Sequence, residues 1–128
     1  MTKSTVPETD WMPHTMLKAL ELPRIDEALI QRVQERLVER FDPDAIYLFG
    51  STGRGEAGQG SDLDLLVVME LPERTGALEM SRRIHSEFRG WRLPLDVIVV
   101  EPHVFAERQT IPGDISRIAV EDGRRLHG

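Results

Sequence analysis

Ala45-Ile46-Tyr47-Leu48-Phe49 runs directly into Gly50-Ser51-Thr52-Gly53-Arg54-Gly55-Glu56-Ala57-Gly58-Gln59-Gly60. That segment leads into Ser61-Asp62-Leu63-Asp64-Leu65-Leu66-Val67-Val68-Met69. The first stretch is short, apolar and rich in β-formers, which predicts a strand. The glycine density that follows marks a loop. The third stretch predicts a second strand, ended by Pro72. Two strands joined through a glycine-rich loop, with a pair of aspartates at the second strand's start, set the terms for the rest of the chain.

Asp62 and Asp64 stand two apart in an extended segment, so their carboxylates project from one face while Leu63 and Leu65 project from the other. At about 4 Å, two like charges repel by about 1 kcal/mol in water and about 4 kcal/mol at an effective dielectric of 20. A divalent cation relieves that repulsion. Asp96 sits in Leu95-Asp96-Val97-Ile98-Val99-Val100, a third predicted strand in which an aspartate has low strand propensity. If the two acid-bearing strands share a sheet, the three carboxylates form a set of hard oxygen ligands of the kind magnesium prefers. Taken singly, each has an ordinary reading. Asp62 can cap a turn after Ser61, Asp64 can face solvent on an edge strand, and Asp96 can be an exposed strand-start residue. Their combination is what points to metal chemistry.

A glycine at the end of a strand lets backbone amides approach phosphate oxygens with no Cβ in the way, and a helix starting near Ser51 would aim its positive end at the anion. Ser51 adds a hydroxyl donor and Arg54 a charge. The loop is not a P-loop, because no Gly-Lys-Ser/Thr occurs in the chain, and it does not match the dinucleotide fingerprint.

Outward from this centre, Ile25, Leu29, Val33, Leu37 and Phe41 recur at every fourth position from Arg24 and predict a helix with one apolar stripe. Asp42-Pro43 stops it. Ala77, Met80, Ile84 and Phe88 predict a second helix within 74–89, closed by Gly90. A short helix is expected over His103 to Arg108, and another from Asp114, a plausible N-cap, to about Asp122 before Gly123. Residues 1–23, broken by Pro7, Pro13 and Pro23, read as an N-terminal arm with a short helical fragment at 16–20. Residues 24–128 read as one domain. The expected architecture is α/β, a small mixed sheet with helices packed on one face and the aspartates on the other.

A chain of 128 residues is about one domain's worth, so the second half of a composite site must come from another chain. The 40% apolar and 30% charged composition is that of a folded globular domain. With no cysteine, disulfides and thiolate metal sites are excluded. Apolar runs such as Leu65 to Met69 fall far short of the roughly 20 residues that span a bilayer. Pro7, Glu8 and Asp10 interrupt any secretory pattern, so a cytoplasmic address is expected. The net charge of −6 argues against nucleic acid as the main partner. His14, His85, His103 and His127 lack the spacing of a histidine metal site, Trp11 and Trp91 read as packing or partner contacts, and Arg124-Arg125 is too short for a nucleic-acid patch.

Gly50-Ser51-x-x-Arg54-Gly55, then Ser61-Asp62-x-Asp64-Leu65, then Asp96 in an apolar strand together resemble the signature of the DNA polymerase β-like nucleotidyltransferase superfamily. The closest resemblance is to the minimal nucleotidyltransferases, and it covers roughly residues 25–125. It implies that Gly50 and Ser51 contact a nucleoside triphosphate, with Arg54 and Ser61 nearby. It also implies that Asp62 and Asp64 hold two magnesium ions, and that Asp96 completes the site and activates the attacking hydroxyl. The implied reaction transfers a nucleoside monophosphate, AMP from ATP, to a hydroxyl. The resemblance further suggests an antitoxin encoded beside a HEPN-type toxin, adding AMP to a tyrosine of that partner. Thr52 and Gly53 depart from many relatives, where bulkier residues or alanine are found. Two other readings stand beside this one: an antitoxin that neutralises its partner by binding alone, and a transferase acting on a small molecule of the aminoglycoside type. Self-association is left open.

Overall fold

The computed structural model describes residues 25–50 and 62–128. The expected N-terminal arm, the body of the glycine loop, and Ser51, Arg54 and Ser61 lie outside the described residues.

Helix α1, Glu27–Phe41, begins where the Asp26 carboxylate accepts from the Leu29 N–H at 2.9 Å, an N-cap that satisfies one orphan donor of the first turn. It ends at Asp42, whose left-handed backbone (φ 46°, ψ 56°) lets its N–H donate to the Val38 carbonyl. The polypeptide then runs through strands β1, Ala45–Phe49, and β2, Leu63–Val68. Helix α2, Ala77–Glu87, leads to strand β3, Leu95–Val100. Helices α3, Pro102–Arg108, and α4, Ile115–Asp122, precede strand β4, Arg124–His127. All three predicted strands are present, the first and third with the predicted bounds. The second starts at Leu63, so that Asp62 lies just ahead of it.

Among the described residues the strands form one mixed sheet in the order β3-β2-β1-β4. β1 is antiparallel to both its neighbours, and β2 is parallel to β3 through the α2 crossover. Ile46, Leu48, Leu63, Leu65, Val67, Val97 and Val99 project to one face. There they pack with Leu29, Ile30, Val33 and Leu37 of α1 and with Met80 and Ile84 of α2. This is the expected helical layer. Leu37 is fully buried in it, and Leu37→Ala should lower the urea unfolding free energy by about 2–5 kcal/mol through lost transfer energy and the cavity left behind. The other face is divided. Ala45, Tyr47, Leu66 and Val68 are covered by Ala119 of α4, with Phe105 of α3 against the Tyr47 ring at 5.4 Å. The end carrying the N-termini of β2 and β3 holds the acids instead.

β4 is the element the sequence does not announce. Its two arginines carry no β-pattern, and its strand character comes from pairing with β1. Gly123 admits it: a Cβ there would overlap the carbonyl oxygens of Ala119 and Leu48, so only glycine lets α4 turn this tightly onto β1. Arg124 then clamps Glu27 at the start of α1 through two hydrogen bonds of 2.6 and 2.7 Å. Arg125 lies 5.8 Å from the centre of the Tyr47 ring.

These contacts set part of the pH dependence of stability. The Arg124 guanidinium holds Glu27 below the ordinary carboxylate value, and the Ser116 N–H, with Arg108, does the same for Asp114, the N-cap of α4. A carboxyl whose folded pKa is depressed contributes stability that is present above its unfolded value and lost as pH falls through the folded one. Acidification through the carboxylate range should therefore lower the thermal midpoint. Arg124→Ala should flatten that slope, which a series of melts at stepped pH would reveal.

Candidate active site

Three strand ends that are remote in sequence meet at one end of the sheet. In the parallel register Asp64 stands directly beside Asp96, and in the antiparallel register it faces Phe49, the last residue before Gly50. Alternation does the rest. With Leu63 and Leu65 committed to the buried helical face, Asp64 must project to the opposite one, and Asp96 follows because Val97 is buried. Asp62 and Asp96 are exposed, and Asp64 is half-buried between them.

The Asp64 carboxyl feels all of this. Its pKa is raised above the ordinary aspartate value, first by burial, then by the charge of Asp96 and then by that of Asp62. Asp62 and Asp96, singled out from sequence with Asp64, are thus each within electrostatic reach of it. Its deprotonated form is held at a cost, the condition that a bound cation relieves. Among the described residues no three acidic or histidine side chains, Asp62, Asp64 and Asp96 included, are placed so that they could hold a metal ion together. In chemistry the donor set suits a hard cation, since every candidate ligand is a carboxylate oxygen.

Gly50 completes the described part of the site. Its φ of +73° falls in the left-handed region, and the space a Cβ would fill is taken by the Asp64 Oδ2. Glycine here does two things that alanine cannot do together. It turns the chain out of β1 without strain, and it lets the backbone lie flat against the carboxylate. The sequence marks Gly50 as a phosphate-type loop residue. Its packing against Asp64 depends on the register of β1 and β2 and has no local signal. Phe49 and Ile98, which share the acids' face of the sheet, also carry none beyond strand alternation. Ser51, Arg54 and Ser61, the other expected nucleotide contacts, lie outside the described residues.

The histidines described, His85, His103 and His127, lie on α2, α3 and β4. No helix among the described residues is long and apolar enough to cross a membrane.

The chain is similar to a solved structure of a candidate nucleotidyltransferase from Sulfolobus solfataricus. That likeness has 22% sequence identity and a TM-score of 0.50, covering 77% of this chain and 76% of the other, and it speaks for the fold. No curated protein matches the chain. A family profile described as nucleotidyltransferase domain matches residues 30–126, which takes in β1, Gly50, all three acids and all but the last residue of β4. With the mixed sheet and its acidic end already in place, that match shows that the chain belongs to the nucleotidyltransferase domain family.

Proposed function

We propose that this chain is a magnesium-dependent nucleotidyltransferase that moves AMP from ATP to a hydroxyl on a partner protein. The observation that carries the reading is the side-by-side placement of Asp64 and Asp96 in paired strands, with the Asp64 carboxylate seated against Gly50. Asp62, Asp64 and Asp96 would hold the metal, two ions in the full arrangement. The metal, when bound, would neutralise charge on the attacking and leaving oxygens. Gly50, with Ser51, Arg54 and Ser61, would grip the triphosphate. Asp96, the more exposed of the register pair, would take the proton from the acceptor hydroxyl. The acceptor oxygen then bonds to the α-phosphorus as the bond to the bridging oxygen breaks, and pyrophosphate leaves with that electron pair. Such in-line transfer asks mainly for positioning and charge neutralisation, which suits a chain of this size.

The partner proposed is a HEPN-type protein, with this chain as the antitoxin and a tyrosine hydroxyl as the acceptor. A cytoplasmic location goes with that role. Residues 24–128 would form the catalytic domain and residues 1–23 an arm.

The test is incubation with α-labelled ATP, magnesium and the HEPN-type protein encoded beside it. Label should appear on the partner together with an equivalent of pyrophosphate, and chelation by EDTA should remove both. Neutralisation of the partner with no label transferred would favour the binding-only antitoxin, and label on an aminoglycoside the small-molecule enzyme.

A further inference from the structure

The flank of α1 beside Trp91 carries four charges whose order reads with opposite sign from its two ends. Arg32, Glu35, Arg36 and Glu39 line a groove with Trp91. The guanidinium carbons of Arg32 and Arg36 lie 5.0 and 5.9 Å from the centre of the indole ring, which Phe88 holds edge-on at 4.8 Å. On a helix, residues four apart are neighbours one turn along. Arg32 therefore meets Arg36 and Glu35 meets Glu39, like-charge contacts that the opposite-charge pairs three apart, Arg32 with Glu35 and Arg36 with Glu39, offset. Arg36 is partly compensated by Glu87 at 3.1 Å, and Glu35 accepts from Gln31 at 3.2 Å. Arg32 and Glu39 have no ion-pair partner among the described residues.

The same order becomes complementary when the helix meets an antiparallel copy of itself. A two-fold axis midway between positions 35 and 36 sets Arg32 opposite Glu39 of the second copy and Arg36 opposite its Glu35, and each pair occurs twice. An isologous contact needs a surface that is complementary to itself under such an axis. The charges span two turns, about 10 Å of helix, with an arginine-stacked tryptophan at their side, and both residue types are enriched where proteins meet. We propose that α1 and Trp91 form a homodimer contact, in which a second copy of this chain docks its own α1 antiparallel to the first. The contact leaves the acids free, because α1 covers the sheet face opposite to them. The dimer therefore stands or falls independently of the catalytic reading.

Sedimentation equilibrium over a concentration series at low and high salt tests it. The wild-type chain should dimerise, and its dimer should weaken as salt rises. Arg32→Glu and Glu39→Arg should each weaken self-association about tenfold or more, because each sets like charges across the axis twice. The two single variants mixed in equal amounts should associate again, to within about threefold of wild type, since every cross-pair is then opposite in sign. The double variant should do the same alone. Circular dichroism would establish that each exposed-site variant is folded. A wild-type chain that stays monomeric at the highest concentration reached would overturn the proposal and leave this face to a different chain. Single variants that dimerise like wild type, or a mixture that fails to recover, would overturn it too.

Discussion

Asp64→Asn will abolish nucleotidyl transfer and leave the fold slightly more stable. Asp64 is the acid that the other two press on, and its carboxyl is held above the ordinary value by burial, Asp96 and Asp62. Asparagine keeps the shape and removes the charge. The sign follows from linkage. A group whose folded pKa is raised binds its proton more tightly in the folded state, so its contribution to stability is favourable at low pH and unfavourable once pH exceeds the folded value. At neutral pH the substitution should therefore gain stability, on the order of 0.5 kcal/mol for a partly exposed like-charge contact. The activity cost is far larger. Loss of a residue that merely orients a metal ligand costs about 10–100-fold, so loss of the ligand itself should exceed about 100-fold. Parallel measurement of urea midpoints and of label transfer checks both halves. A variant that stays active would remove Asp64 from the metal site, whereas one that unfolds would mean the carboxylate supports the sheet.

Gly50→Ala should cost nearly as much activity by a different route. The added methyl has to share the space of the Asp64 Oδ2, and the residue has to hold φ near +73°. Left-handed strain in a residue with a Cβ costs about 1–3 kcal/mol. The clash adds to this by turning the Asp64 carboxylate away from Asp96. Stability should fall by about 1–3 kcal/mol. Metal affinity, read by calorimetric titration of magnesium in the presence of a non-hydrolysable nucleotide, should fall by about tenfold or more. Gly50→Ser should be no better than alanine, since the hydroxyl leaves the Cβ in place.

How far the sequence foretold these features depended on whether their cause was local. β1 and β3 are legible because short β-branched and apolar runs sit between strong punctuation. α1 is legible from its stripe, with Ile30 the one buried position that a strict four-residue spacing passes over. Asp62, Asp64 and Asp96 stand out as carboxylates in apolar company, and within their own strands Asp64 and Asp96 take the face opposite their buried neighbours by alternation. The register that sets Asp64 beside Asp96 is different. It depends on how a crossover helix returns the chain, and a slip of one residue would send Asp96 to the wrong face. β4 is non-local in the same sense, since Arg124 and Arg125 become strand residues through pairing with β1 and the grip on Glu27. α3 and α4 were expected as helices, but their packing over half of the acids' face depends on Ala119 and Phe105 meeting strand residues some 50 to 75 positions earlier.

The parallel pairing of β2 with β3 has a further consequence during synthesis and refolding. Hairpin-like pairing of β1 and β2 can form early, whereas β3 arrives only after the α2 crossover has folded back, a slow long-range closure. Until it arrives, position 96 is elsewhere and the acidic corner does not exist. Affinity for a ligand held by Asp64 and Asp96 together should therefore switch on with the docking of β3 and not by degrees. Magnesium nucleotide in the surroundings should trap completed molecules by mass action and leave unfinished ones untouched.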